Sequence, residues 1–136
     1  GCTVLPEVEI YINYVDDTAL YVSNSFNGCK ALAKLKGNLD LSNVASATHL
    51  TTIFANCISL VDFETTGSIA GDNTFSSATL TVSASPVFNI SLMLQRWAVN
   101  PSGKTRIIKL HADVYNALTE DDLALATEKN YTLASA

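Results

Sequence analysis

Two histidines and three cysteines are the side chains best suited to chemistry in this 136-residue chain. His49 and His111 titrate near neutral pH, so each could act as a general base or bind a metal. Cys2, Cys29 and Cys57 could act as nucleophiles or ligands. The cysteines form no C-x-x-C pair, however, and no sequence signature joins a cysteine to a histidine. The sequence therefore predicts no catalytic residues, no metal ligands and no enzyme.

Acidic residues and glycines are the next candidates for a binding site. Asp16-Asp17 and Glu120-Asp121-Asp122 lack the alternating oxygen spacing of a dedicated calcium loop, so we interpret them as a turn and a helix cap. No glycine belongs to a phosphate-binding motif, so no nucleotide or other cofactor is expected.

Charge and hydropathy argue against nucleic acid as a partner and against a membrane-spanning helix. Eight basic against thirteen acidic residues give a net charge of -5, so nucleic acid is not an expected partner. No apolar run reaches the roughly 18 residues of a transmembrane helix. With 48% hydrophobic and 15% charged residues, the chain is expected to fold around one core.

Cys2 has two readings that the sequence leaves open. It is either a free thiol like Cys29 and Cys57, or the lipid-carrying first residue of an exported lipoprotein. In the second case it would anchor the chain at a membrane surface.

Aromatic residues could form a contact surface, because such side chains dominate the energetics of many interfaces. The candidates are Tyr11, Tyr14, Tyr21, Phe88 and Trp97. The alternative, which we favour, places Trp97 and Tyr14 in the core.

An internal repeat is the strongest feature of the sequence. Phe26-Asn27-Gly28-Cys29-Lys30-Ala31-Leu32 is echoed by Phe54-Ala55-Asn56-Cys57-Ile58-Ser59-Leu60. We call the shift that carries position 26 onto position 54 the repeat offset. It also relates Leu35 to Phe63 and Val22 to Leu50. A fixed period of this size is typical of stacked units that cover one another's apolar faces. The predicted core of the repeat comprises Phe26, Cys29, Leu32, Leu35, Leu39, Leu41, Val44, Leu50, Phe54, Cys57, Leu60 and Phe63.

The pattern L-x-L-S-N-V at residues 39–44, followed by F-x-x-C-x-x-L, resembles the BspA-like leucine-rich repeats of bacterial surface proteins. The resemblance covers about residues 20–82 and implies parallel strands stacked into a short solenoid. Because the family repeat is shorter than the repeat offset of this chain, Lys34-Leu35-Lys36-Gly37 is expected to bulge out as an insertion. A third, degraded copy is expected from Phe75, with Ala78 in the place of the cysteine and Leu80 and Val82 pointing inward.

Both ends of the chain are predicted to cap this stack. Alternating apolar residues predict a β-hairpin over residues 8–22, with its turn at Asp16-Asp17-Thr18. Towards the C-terminus, Ser85-Pro86 predicts the start of a helix. A strand over Thr105–Leu110, a helix opening at Thr119 and a strand at Tyr131-Thr132-Leu133 follow. This tail is similar to the terminal unit of some leucine-rich-repeat proteins of gut bacteria and their prophages.

Together these features predict a single α/β domain: a leucine-rich-repeat solenoid of stacked parallel strands. Residues 1–22 would be the N-terminal β-hairpin cap, 23–84 the repeats and 85–136 the strand-helix cap. The first functional hypothesis is a non-catalytic module on a bacterial cell surface that contacts protein or glycan. The second is a structural subunit of a phage or surface assembly. The oligomeric state and the ligand stay open.

Overall fold

The structure is a computed structural model that describes residues 3–12, 20–42, 44–68, 75–101 and 103–136. Its strands form two parallel three-stranded sheets, with orders β1-β2-β3 and β4-β5-β6, which confirms the α/β class. The elements of the described ranges are β1 (Glu7–Ile12), β2 (Lys34–Asp40), α1 (Ala47–Thr52), β3 (Asp62–Ser68), β4 (Ser77–Thr81), α2 (Ile90–Arg96), β5 (Thr105–Leu110), α3 (Ala112–Asn116), α4 (Glu120–Glu128) and β6 (Tyr131–Ser135).

The first sheet converts the sequence repeat into strand register. Lys34 of β2 pairs with Asp62 of β3 at the repeat offset, and Glu7 of β1 pairs with Lys34 at a separation shorter by a single position. We call the stretches 7–33, 34–61 and 62–89 the first, second and third layers. Core-facing residues of successive layers therefore lie side by side, as Val8, Leu35 and Phe63 do.

Backbone hydrogen bonds continue this stacking beyond the strands. The amide of Ala33 donates to the carbonyl of Pro6, that of Val61 to Ala33, and that of Asn89 to Val61, each at 2.8 Å. One of these bonds thus links the end of the second layer to the end of the first, and another links the end of the third layer to the end of the second. Because backbone groups in a buried loop must find partners, this ladder stabilises the turns that join the layers.

The turns themselves repeat their local geometry. The amides of Cys29, Cys57 and Ser85 each donate to the carbonyl three residues earlier, at 3.0, 3.2 and 3.2 Å. Gly28 and Asn56, which the repeat offset also relates, both have positive φ, 74° and 61°. Glycine and asparagine are the residues that tolerate this conformation best, so the turn chemistry recurs with the repeat.

The core is one cluster of buried residues and is rich in aromatic rings. Phe63 is fully buried and packs against Phe54, Phe88 and Trp97, with ring centroids 4.8, 5.1 and 5.7 Å away. Phe26 stacks on Phe54 from the preceding layer at 5.5 Å. These contacts run across all three layers and reach the end of the helix that follows them.

The second sheet uses the same spacing once. Ser77 of β4 pairs with Thr105 of β5 at the repeat offset, whereas Arg106 pairs with Tyr131 of β6 at a shorter separation. Helices continue the stacking next to the strands: α1 packs against β4, α2 against β3, and α4 against α2 and β6.

The predicted N-terminal hairpin is wrong. β1 pairs with β2 in parallel, and within the described residues Leu20 makes one isolated parallel bridge, to Val44. Tyr21 and Val22 lie outside any strand. The predicted turn at 16–18 lies outside the described residues. Alternation correctly indicated a strand but could not identify its partner, because a period of two carries no information about strand direction.

The expected bulge at Lys34-Leu35-Lys36-Gly37 is also wrong. These four residues lie within β2 in continuous register with β1 and β3, and Leu35 is fully buried. The register places no insertion there, because the full repeat offset is itself the spacing between β2 and β3.

The third copy is displaced from its expected register. Ala78, Leu80 and Val82 are buried as expected, but the turn hydrogen bond places Ser85, not Ala78, in the position of the cysteines. Ser85 is fully buried and its hydroxyl donates to the Leu60 carbonyl at 2.7 Å.

The C-terminal predictions fare better, with one correction. β5 spans the predicted Thr105–Leu110, and Thr119 caps α4 with a capping box completed by Asp122. β6 begins at Tyr131 as expected. Helix α2, however, starts at Ile90 with Asn89 as its N-cap, and Asn89 accepts from the Leu92 amide, whereas the Ser85 oxygen accepts from the Val87 amide in a turn that precedes the helix. Helices α1 and α3 were not predicted.

Candidate functional site

The outward face of the first sheet gathers charged and aromatic side chains from successive layers. Register pairs Glu7 with Lys34, Glu9 with Lys36 and Tyr11 with Asn38. Inward positions such as Leu35 and Leu39 are fully buried, so the alternate positions face outward. We call the residues Glu7, Glu9, Tyr11, Lys34, Lys36 and Asn38 the outer face.

Opposite charges on neighbouring strands of the outer face pair with one another. The Lys36 ammonium donates to Glu7 Oε2 at 2.9 Å, and both side chains are substantially exposed. The hydrogen bond and charge of Lys36 lower the pKa of Glu7, with a smaller contribution from Lys34. The ionised form of the carboxylate is therefore favoured, and the pair links exposed side chains of consecutive layers.

Tyr11 gives the outer face an accessible aromatic ring. Its side chain is 68% exposed, and its hydroxyl donates to Glu9 Oε1 at 2.6 Å. This hydrogen bond raises the pKa of Tyr11, since the phenol loses its carboxylate partner on ionisation. Tyr21 is also exposed, whereas Phe88 and Trp97 are buried in the core, and Tyr14 lies outside the described residues. Of the five aromatic candidates, Tyr11 alone belongs to the outer face as defined above.

A second charged pair joins the start of β3 to the end of α2. The Arg96 guanidinium donates from one nitrogen to both carboxylate oxygens of Asp62, at 3.0 and 3.2 Å, and to the Phe63 carbonyl at 3.1 Å. Asp62 is buried, so this interaction compensates the cost of removing a carboxylate from water. The pair positions the third layer rather than a ligand.

The second sheet presents a contrasting face with many hydroxyl groups. Ser77 pairs with Thr105, and Thr79 is aligned with Ile107 and Thr132. Ser77, Thr105 and Thr132 are exposed. The outward positions of the second sheet therefore carry mainly hydroxyl groups, together with Ile107 and Lys109 of β5.

The two histidines have different surroundings. His111 caps α3 by accepting a hydrogen bond at Nδ1 from the Asp113 amide at 3.1 Å, and the Asp113 carboxylate lies 3.6 Å away. The His49 ring lies 5.8 Å from the ring of Tyr21. Neither arrangement includes a nucleophile in the contacts that the described residues make. Among these residues, no three His, Cys, Asp or Glu side chains come together as a metal site requires.

The acidic residues that open α4 take part in capping. The Asp122 carboxylate accepts hydrogen bonds from the amide and hydroxyl of Thr119, at 2.9 and 2.8 Å, and from the hydroxyl of Ser91 on α2. Burial raises the pKa of Asp122, but the hydrogen bonds from Ser91 and Thr119 outweigh it, so the pKa is lowered. This confirms the predicted cap. Asp16 and Asp17 lie outside the described residues.

A small cleft lies between the start of α2 and helices α3 and α4. It has a volume of about 290 Å³, and its wall includes Phe88, Ile90, Val114 and Leu118, with Asp122 among the polar lining residues. These residues come from segments far apart in the chain, so no sequence motif could have revealed the cleft. The Asp122 carboxylate already accepts three hydrogen bonds from the protein, so few of its acceptor sites remain for a ligand.

The predicted repeat core is found in the interior. Phe26 is half-buried and packs against it, and the other members are buried: Cys29, Leu32, Leu35, Leu39, Leu41, Val44, Leu50, Phe54, Cys57, Leu60 and Phe63. The sulfur atoms of Cys29 and Cys57 are reduced thiols in this structure, and Cys2 lies outside the described residues. Burial raises the pKa of Cys57 to about 11; the Cys29 amide opposes this shift and the Cys29 thiol adds to it.

Arg106 is a buried cation that sequence reasoning missed. Its side chain is fully buried, and its guanidinium donates to the carbonyls of Phe75 and Thr105 at 3.2 and 3.1 Å. Burial lowers the pKa of Arg106. Strand alternation could have placed this residue inward, since Ile108 and Leu110 share its side of β5.

No family model, curated protein or solved structure matches this chain. Its function must therefore be argued from its own residues. None of the helices in the described ranges is long and apolar enough to cross a membrane.

Proposed function

We propose that the chain is a non-catalytic interaction module of the leucine-rich-repeat type, which contacts a protein or glycan at a bacterial cell surface. The observation that carries this proposal is the outer face, where register aligns charged and aromatic side chains of consecutive layers. The resemblance of residues 20–82 to BspA-like repeats supports the leucine-rich architecture and the surface location.

The composition of the outer face suits recognition. Tyr11 offers a ring that can stack on a sugar or an apolar side chain, and its hydroxyl is held by Glu9. Asn38 lies beside it on the neighbouring strand, Lys36 and Lys34 follow further along that strand opposite Glu9 and Glu7, and all three side chains provide donors. Because β1 and β2 are held in register by backbone pairing, these groups are preorganised, which lowers the entropy cost of binding.

Binding arrays provide the test. The wild-type protein is applied to immobilised glycans and extracellular matrix proteins, together with Tyr11→Ala/Lys34→Ala and a matched variant of the second sheet, Thr79→Ala/Thr132→Ala. We expect specific binding that falls about tenfold or more in the first variant and is retained in the second, since hot spots cluster on one face. If the wild type binds none of the immobilised molecules, or if both variants lose binding equally, the outer face is not the binding site. Circular dichroism of each variant establishes that it is folded.

A second candidate, a structural subunit of a phage or surface assembly, is favoured by the position of β1. Within the described residues β1 ends its sheet, and its inward side chains Val8, Ile10 and Ile12 are half-buried. Such an edge can accept another strand. Multi-angle light scattering across a concentration series separates the candidates: discrete higher oligomers support assembly, and a monomer throughout supports the interaction module.

A further inference from the structure

Cys29 and Cys57 occupy equivalent positions in the turns of consecutive layers. Their separation equals the repeat offset, which is also the register of β2 with β3. The two turns are bonded to each other directly, since the amide of Phe26 donates to Ile53 at 3.0 Å and that of Gly28 to Ala55 at 2.8 Å. The backbones that carry the two cysteines therefore run side by side.

The two residues also meet at one acceptor. The Cys57 Sγ approaches the Phe26 carbonyl oxygen at 3.0 Å, and the Cys29 amide donates to that same oxygen at 3.0 Å. Both cysteines are almost completely buried. The amide and the thiol of Cys29 are close enough to act on the ionisation of Cys57 in opposite directions. The two side chains thus share one small volume of the core.

We infer that Cys29 and Cys57 form a covalent modification site, an intrachain disulfide that joins the first and second layers when the protein folds in the presence of a small-molecule disulfide. The turns that carry the two cysteines are joined by the same kind of backbone hydrogen bond that joins adjacent strands. Backbones joined in this way lie about 4.8 Å apart, which falls within the Cα separation of about 4.4 to 6.8 Å that disulfides adopt. The inference rests on the register of the layers and is independent of what the outer face binds.

The chemistry consists of two thiol–disulfide exchanges. One cysteine loses its proton, and its thiolate attacks a sulfur of oxidised glutathione, releasing one glutathione thiolate and leaving a mixed disulfide. The second cysteine loses its proton and attacks the protein sulfur of that mixed disulfide, releasing the second glutathione thiolate. The two released thiolates take up the two protons, so two protein thiols are oxidised and one glutathione disulfide is reduced.

Burial determines when this reaction occurs. The raised pKa of Cys57 keeps its thiol protonated at neutral pH in the folded chain, so exchange is slow there. Oxidation therefore proceeds during folding or during transient opening of the turn. Secreted and surface proteins meet oxidants at this stage, whereas cytosolic proteins are kept reduced.

The test compares two pairs of cysteines with nearly the same sequence separation. The first protein is Cys2→Ser, which retains Cys29 and Cys57. The control is Cys2→Ser/Cys57→Ala/Ile58→Cys, which moves the second thiol to the next position, where the side chain is half-exposed. Each protein is equilibrated with reduced and oxidised glutathione, in native buffer and in concentrated urea, and disulfides are quantified by mass spectrometry after alkylation.

In urea the two pairs should oxidise equally, because their loops have almost the same length. In native buffer we expect the equilibrium constant for the Cys29–Cys57 disulfide to rise on the order of 100-fold, the stabilisation typical of a loop of this size. That of the control pair should not rise. An unchanged or lower constant for Cys29–Cys57 in native buffer would overturn the inference.

A second measurement covers the case in which the control variant does not fold. The Cys2→Ser protein is oxidised and reduced, and the urea midpoints of the two forms are compared. A higher midpoint for the oxidised form supports a disulfide that fits the native turns. An equal or lower midpoint, or failure to form an intrachain disulfide, contradicts it.

Discussion

Replacing Gly37 by alanine should destabilise the protein at the contact between β1 and β2. Gly37 lies in β2 opposite Ile10 of β1, and its φ is +100°. A Cβ atom built on it would stand 1.9 Å from the backbone oxygen of Ile10. Because that oxygen belongs to the backbone, no side-chain rotation can relieve the overlap, and β1 itself must move.

The expected cost has two parts. A left-handed backbone conformation costs an alanine about 1 to 2 kcal/mol. The steric overlap adds about 1 to 3 kcal/mol, the usual range for overpacking that shifts the backbone. Gly103→Ala is the matched control, since Gly103 has a φ of +85° but nothing lies within 4 Å of its Cβ position. The control therefore carries only the conformational part of the cost.

The assay is equilibrium unfolding in urea, followed by far-ultraviolet circular dichroism and by the fluorescence of the buried Trp97. We expect Gly37→Ala to lower the free energy of unfolding by about 2 kcal/mol more than Gly103→Ala does. If the two substitutions cost the same, β1 does not approach β2 at Gly37 and the register between the first two layers is refuted.

Three further changes probe the core, the buried ion pair and the thiol. Phe63→Ala should lower the free energy of unfolding by about 3 to 5 kcal/mol, because it leaves a cavity in a fully buried aromatic cluster. Tyr21→Ala, at an exposed position, should change the free energy of unfolding by less than about 0.5 kcal/mol. Urea titration measures both. Arg96→Ala should lower the free energy of unfolding by about 2 kcal/mol, because it leaves the Asp62 carboxylate buried without its cation. This value is below the usual cost of breaking a buried pair because the Arg96 side chain is 36% exposed. An unchanged urea midpoint would show that the pair contributes nothing. Folding raises the pKa of Cys57 from 9.0 to about 11, so the thiol of the unfolded chain ionises at a lower pH than that of the folded chain. The free energy of unfolding should therefore fall as pH rises between these values. In a series of urea midpoints, Cys57→Ala should show a smaller fall over this pH range than the wild type.

The repeat could be predicted from the sequence because stacking imposes it. A position that faces the core in one layer faces it in the next, so Phe26 and Phe54, or Leu32 and Leu60, must both be apolar. The capped helix at Thr119 was predictable for a different reason, because its signal is local and joins Thr119 to Asp122 within one helical turn.

Strand pairing could not be predicted in the same way. The alternation in Glu7–Ile12 has the same form whether the partner strand is antiparallel and near in sequence or parallel and a whole layer away. The start of α2 was misplaced for a related reason. Ser85 is a good N-cap residue, and its oxygen does accept from the Val87 amide, but its hydroxyl also donates to Leu60 of the previous layer and the helix begins only at Ile90. The contact with Leu60 is one that local sequence does not reveal.

The outer face was predictable only in part. Tyr11 could be recognised as an aromatic candidate from its residue type, but its alignment with Asn38 depends on register. The pairing of Glu7 with Lys36 joins side chains of different layers, and no motif records it. Surfaces that arise from stacking are therefore visible only once the register of the layers is known.

Nuclear Overhauser effects between backbone protons test the stacking most directly. The repeat offset predicts cross-strand contacts between Leu35 and Phe63 in the first sheet and between Leu80 and Ile108 in the second. If these contacts are absent, and the residues of β1 instead show antiparallel contacts to residues 20–22, the layers do not exist as described.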